Sequence, residues 1–196
     1  SPGDVIVAEL GSFDIQSETW SATVVQRLGK INDPSIEVSI ALHKFDIPGV
    51  RDNSLDAEVA GIPEMVDDAS LSNRVDLRNL PFVTIDGPDA KDFDDAVYVE
   101  HSDAGFCLYV AIADVSHYVA QGSLIDLDAR KRSTSVYFPR LVCPMLPEEL
   151  SSGICSLKPD QDRLVVVVKI ELDREERVAA SQFMTGVIHS KKRLTY

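Results

Sequence analysis

Positive charge is scarce in this sequence. Against 32 Asp and Glu stand 19 Lys and Arg, a net charge of −13 over 196 residues, so the cationic surplus with which proteins usually meet phosphate backbones is missing. Cysteine is scarce too: Cys107, Cys143 and Cys155 are odd in number, widely spaced and without a Cys-x-x-Cys pair. That pattern argues against a disulfide framework or a zinc site and leaves three buried thiols as the better reading. No apolar run is long enough for a membrane-spanning helix, and the sequence opens at Ser1-Pro-Gly without Met or a basic-plus-apolar leader, so a soluble cytoplasmic protein is expected. Internal repeats and low-complexity tracts are also missing, and the length suits one or two domains.

Acid, by contrast, is concentrated. Asp86, Asp92, Asp94 and Asp95 lie in the stretch Thr84-Ile-Asp-Gly-Pro-Asp-Ala-Lys-Asp-Phe-Asp-Asp95. Carboxylates held this close repel one another and raise each other's pKa, and a fold that forces them together normally recruits Mg²⁺ or Mn²⁺ to offset the repulsion. Such ions serve phosphodiester cleavage. The flanks Leu80-Pro-Phe-Val-Thr-Ile85 and Ala96-Val-Tyr-Val-Glu100 read as strands, with Gly87 and Pro88 supplying a turn. The cluster is thus expected on a loop anchored at both ends to a sheet. A solvated acidic turn is the plain alternative. An EF-hand is disfavoured, because counting from Asp92 its fifth and sixth positions are Ala96 and Val97, where the sixth requires glycine.

Three segments are expected. Residues 1–48 read as the strands Val5-Ile-Val-Ala-Glu9, Trp20-Ser-Ala-Thr-Val-Val-Gln26 and Ile36-Glu-Val-Ser-Ile-Ala-Leu42, a small antiparallel barrel portion whose aromatics Phe13, Trp20 and Phe45 are more often core than exposed. Residues 49–78 read as a helical acidic linker around Leu55-Asp-Ala-Glu-Val-Ala60, with the acids from Glu58 to Asp68 solvating it. Residues 79–196 read as a mixed-sheet α/β (α+β) domain with strands at 106–113, 164–172 and 182–188 and a helix at 125–132. Asp114 and His117, just after the first of these strands, could support the acidic loop or simply cap a turn. The triplet Arg130, Lys131 and Arg132 could hold phosphates or form a solvated helix face. His43, His101 and His189 have no ligand partner at useful spacing and read as surface or strand residues.

The segment 74–98 that contains the aspartates resembles the active-site segment of the ribonuclease II / ribonuclease R family of exoribonucleases. Three later stretches agree in the same order: Val110-Ala-Ile-Ala-Asp-Val-Ser-His-Tyr-Val119, Ser133-Thr-Ser-Val-Tyr-Phe-Pro139 and Pro144-Met-Leu-Pro-Glu-Glu-Leu-Ser-Ser-Gly-Ile-Cys-Ser-Leu157. The upstream Gly3-Asp-Val-Ile-Val7 and Ile40-Ala-Leu-His-Lys-Phe-Asp-Ile-Pro48 look more like the ribonuclease R branch.

The resemblance implies the N-terminal part of an RNB catalytic domain, preceded by the end of a cold-shock (OB-type) domain. It further implies hydrolysis of single-stranded RNA from the 3′ end to 5′-mononucleotides with two Mg²⁺ or Mn²⁺ ions. Asp86 and Asp95 would hold the first ion and Asp92 the second, and Asp94 would be the least replaceable residue. Tyr137 and Tyr196 match tyrosines that contact RNA, and Arg130 and Arg132 stand beside that region. Family members are several times longer, so a fragment is expected, weak in RNA binding, inactive alone and prone to self-association at a truncated sheet edge. A non-catalytic RNA-binding module and an acidic structural domain are the alternative readings.

Overall fold

The computed structural model describes residues 1–49, 51, 53–139 and 141–196. In chain order its elements are β1 (Asp4–Asp14), β2 (Thr19–Lys30), α1 (Ile36–Lys44), α2 (Asp56–Val59), β3 (Val75–Asp76), β4 (Val83–Asp86), β5 (Asp95–Ser102), β6 (Gly105–Ala113), α3 (Leu124–Arg132), β7 (Val136–Phe138), β8 (Leu141–Cys143), β9 (Asp162–Leu172), β10 (Val178–His189) and β11 (Lys192–Thr195). They fall into two units, one of residues 1–51 with 136–143, the other of residues 52–135 with 144–196.

In the first unit β1 and β2 form an antiparallel hairpin with three register irregularities, and β7 pairs with β8. The expected third strand is a helix instead. Alternation at Ile36, Val38 and Ile40 imitates a strand, but the Asp33 carboxylate accepts from the Ser35 amide at 2.9 Å and its hydroxyl at 2.8 Å, folding the chain into a turn at Pro34. Pro34 fits a helix entry, Glu37 lies in the first turn of α1, and His43 and Lys44 lie in its last, which suits the helix dipole. Phe13, Trp20 and Phe45 are exposed rather than core. Phe13 and Trp20 face each other across the hairpin with ring centroids 5.3 Å apart.

The second unit is built on a seven-stranded sheet in the order β11-β4-β5-β6-β9-β10-β3. The outer pairs β11·β4 and β10·β3 are parallel and the inner ones antiparallel. The apolar run of β6 buries only one of its faces: Cys107, Ala111 and Ala113 point inward, whereas Phe106 and Ile112 are exposed. On the inner face Phe82, Ala96, Ala111, Val165, Val167 and Ile188 pack with Leu55, Ile125, Leu150, Ile154 and Leu157. Gly105 is required between β5 and β6: at φ +143° a side chain would be strained, and a Cβ would collide with the Leu172 carbonyl of β9.

The linker is an anchored segment. Glu58, expected in solvent, instead accepts from the Leu124 and Ile125 amides at 2.9 and 3.0 Å and caps α3 together with Ser123. The three cysteines are free and buried. Among the described residues no helix is long and apolar enough to cross a membrane.

Two carboxylates tie the linker and the strand ends to the sheet. Burial alone would raise the Asp114 carboxyl, but hydrogen bonds from Ser116 and Arg74 outweigh it and hold it below the usual range. Asp162 behaves alike, burial being overcome by His189 and Arg78. His189, a strand residue as expected, bonds through Nδ1 to Asp162 at 2.8 Å. A depressed carboxyl stabilises the fold fully above its unfolded pKa, near 4, and loses that contribution as pH falls through the folded value. Urea midpoints are therefore expected to hold between pH 7 and pH 5 and to drop below about pH 4; an unchanged midpoint at pH 3 would contradict these assignments.

Candidate metal centre

Strand β4 ends at Asp86 and β5 begins at Asp95, so the acidic loop spans adjacent strands of one sheet. Gly87 opens a turn that Ala90 closes through its amide to the Gly87 carbonyl at 3.1 Å. Phe93 is buried and pins the centre of the acidic run to the core, while its neighbours Asp92 and Asp94 stay at the surface. Its amide donates to Ser156 Oγ at 3.1 Å, its carbonyl accepts from the Leu157 amide at 2.9 Å, and the Ser156 hydroxyl donates to the Lys91 carbonyl at 2.9 Å. The Asp94 carbonyl accepts from the Ala113 amide of β6 at 2.9 Å. Arg193 of β11 donates to the Gly87 and Pro88 carbonyls, at 2.5 and 2.8 Å, and lies 5.2 Å from the centre of the Phe93 ring.

The aspartates act on one another. The Asp94 carboxyl is pushed above the usual carboxylate range by partial burial and then by the charges of Asp92, Asp95 and Asp86. Because Asp94 keeps exposed surface, that repulsion is the part a bound cation would relieve. Asp86 Oδ2 is buried with no hydrogen-bond partner, a costly arrangement for an anionic oxygen. Mutual repulsion, an orphaned carboxylate oxygen and an all-oxygen donor set fit a hard divalent cation. Among the described residues, however, no three His, Cys, Asp or Glu side chains stand at metal-binding spacing. The loop gathers the charges without closing them into a coordination shell. A fifth aspartate of the loop, Asp89, is exposed.

The other residues singled out from the sequence are placed as follows. The Asp114 carboxylate is bonded by Arg74 and Ser116, and His117 Nε2 lies 3.0 Å from Ser70 Oγ; these partners belong to the linker and the turn, not to the acidic loop. Arg130 is exposed and pairs with Asp126. Arg132 differs from expectation: its side chain is only 4% exposed and pairs with Asp128 at 2.8 Å, so the third member of the basic triplet is a buried helix residue. Tyr137 lies on β7 in the first unit, 66% exposed. Tyr196 is 97% exposed and directly follows Thr195, which is in register with Asp86. Ser156 and Arg193 had not been singled out, because their contacts join residues 65 and 106 positions apart.

A cold-shock-type β unit followed by a mixed sheet with an acidic strand-end loop defines the class. Residues 74–196 match the RNB domain model and residues 1–50 the cold shock domain model, and the chain belongs to the RNB domain family. It is 44% identical over 194 residues to the ribonuclease R of Acidithiobacillus ferrooxidans, covering 99% of this chain and 44% of that protein. It is 45% identical over 195 residues to the ribonuclease R of Escherichia coli (strain K12), covering 99% and 24%. The solved structure of Mycoplasma genitalium RNase R in complex with double-stranded RNA superposes with a TM-score of 0.93 at 36% identity, over 99% of this chain and 34% of that one. The chain thus spans less than half the length of these relatives.

Proposed function

We propose that this chain supplies the acid-bearing part of a divalent-metal-dependent exoribonuclease that removes 5′-mononucleotides from the 3′ end of single-stranded RNA. The observation that carries the reading is the loop of Asp86, Asp92, Asp94 and Asp95, whose charges raise the Asp94 carboxyl and leave an Asp86 oxygen unpartnered, in a chain of the RNB family. These four carboxylates would hold Mg²⁺ or Mn²⁺, which when bound lowers the pKa of water and offsets charge on the leaving oxygen. Asp94 would accept a hydrogen bond from the attacking water, with Asp86 and Asp95 at the two strand ends fixing the span of the loop. Tyr196, exposed beside the Asp86 end, would offer a face to the terminal nucleotide, and Tyr137, exposed on the first unit, would offer a separate face to RNA. Arg130 retains surface for a phosphate; Arg132 does not, and we assign it to the fold.

A second reading is favoured by the exposed Phe13 and Trp20 pair on the cold-shock unit: a module that stacks RNA bases without chemistry. The readings separate on incubation of a labelled single-stranded oligoribonucleotide with Mg²⁺ or Mn²⁺. The 196-residue chain alone is expected to release no mononucleotides, since the charges that raise Asp94 are other carboxylates, whereas transition-state charge is met by preorganised side-chain donors and cations as well as by the metal. A chimera in which these residues replace their counterpart in a full-length ribonuclease R is expected to release them. Release by the chain alone would refute its inactivity, and an inactive, folded chimera that still binds RNA would favour the module.

A further inference from the structure

Arg193 grips the acidic loop where nothing requires an arginine for local structure. It lies on β11, which runs parallel to β4 in a register pairing Arg193 with Thr84 and Thr195 with Asp86. From there its guanidinium reaches the carbonyls of Gly87 and Pro88, the first two residues after Asp86, and the ring of Phe93, the residue between Asp92 and Asp94. One side chain therefore touches the loop at both of its acidic ends. The contact is made although Nε is buried without an acceptor, an arrangement that costs stability and persists only where other contacts fix the group.

We infer that Arg193 is a positioning residue for the acidic loop, setting the spacing of Asp86 from Asp92, Asp94 and Asp95. Ser156 separately holds Lys91 and Phe93, so the loop has two long-range anchors, and loss of the Arg193 anchor frees the segment from Gly87 to Ala90. Arginine suits this anchor because a planar guanidinium can donate to carbonyls while lying on an aromatic face; lysine keeps a charge and a donor but loses the planar stacking.

The test compares the wild-type chain with Arg193→Met, which keeps the stem, and Arg193→Lys. Amide hydrogen exchange at Ala90, whose amide is held by the Gly87 carbonyl, is expected to accelerate about tenfold in Arg193→Met with β6 and β9 unchanged, and Arg193→Lys to fall between. The second readout, Mn²⁺ binding by calorimetry, rests on the metal reading above. There Arg193→Met is expected to weaken affinity by about 10-fold or more, as loss of a group that orients ligands does, and Arg193→Lys to recover part of it. Exchange in Arg193→Met equal to wild type overturns the inference. If that variant does not fold, wild-type exchange in Arg193→Lys overturns it. A wild-type chain that binds no Mn²⁺ defeats the metal reading for the chain alone, and exchange still decides the role of Arg193.

Discussion

Asp94→Asn in the full-length chimera is expected to lower mononucleotide release by about 10²-fold or more while RNA affinity stays within about twofold and thermal stability does not fall. The two halves of this expectation have one cause. Asp94 is the loop carboxyl lifted by its three acidic neighbours, so its ionised form is held in place at a cost. An isosteric amide removes that repulsion, and the loop's tie to β6 survives because it uses the Asp94 backbone carbonyl. A site whose charges oppose folding but are needed for chemistry should gain or keep stability as it loses activity. RNA affinity should hold because the aromatic and phosphate contacts proposed above involve other residues. Turnover within a few fold of the parent would remove Asp94 from the chemistry. Equal losses of activity and stability would make it a structural residue.

What the sequence reveals and what it hides follow from the range of the interactions. β6, β9 and α3 were legible because continuous apolar runs and a short polar helix carry their signal locally. The acidic loop was legible because four carboxylates within one turn-rich stretch have few purposes. Ile36 to Leu42 misled because alternation alone cannot separate a strand from a helix whose start is set by Asp33 and Pro34. The exposure of Phe13 and Trp20 and the burial of Arg132 were hidden because both depend on which elements pack nearby, a tertiary fact. Ser156 and Arg193 were hidden for a stronger reason: each is an ordinary residue locally and becomes part of the site only when the folded chain brings it against the loop. The same holds for Glu58, an acid in an acidic linker until α3 presents its open amides.

Asp114→Ala is expected to destabilise the chain by about 3–5 kcal/mol, the usual cost of removing one partner of a buried ion pair. The Arg74 and Asp114 side chains are 9% and 5% exposed and meet at 2.5 Å. Without the carboxylate, Arg74 keeps, among the described residues, long contacts of 3.5 Å to the Val165 and Gly186 carbonyls, too weak to offset a buried charge. The position magnifies the effect. Arg74 leads from the linker into β3 at the sheet edge, and Asp114 directly follows Ala113, whose amide holds the Asp94 carbonyl, so the pair joins linker, sheet and acidic loop. Against a typical total of about 5–15 kcal/mol, such a loss approaches unfolding at ordinary temperature. The double variant Arg74→Met with Asp114→Leu separates buried charge from lost packing: it is expected to be more stable than Asp114→Ala, because no unpaired ion remains. Urea titration of the two variants beside wild type measures this. A loss under about 1 kcal/mol for Asp114→Ala, or a double variant no better than the single, would show that Arg74 finds water or another acceptor and that this pair does not hold the linker to the sheet.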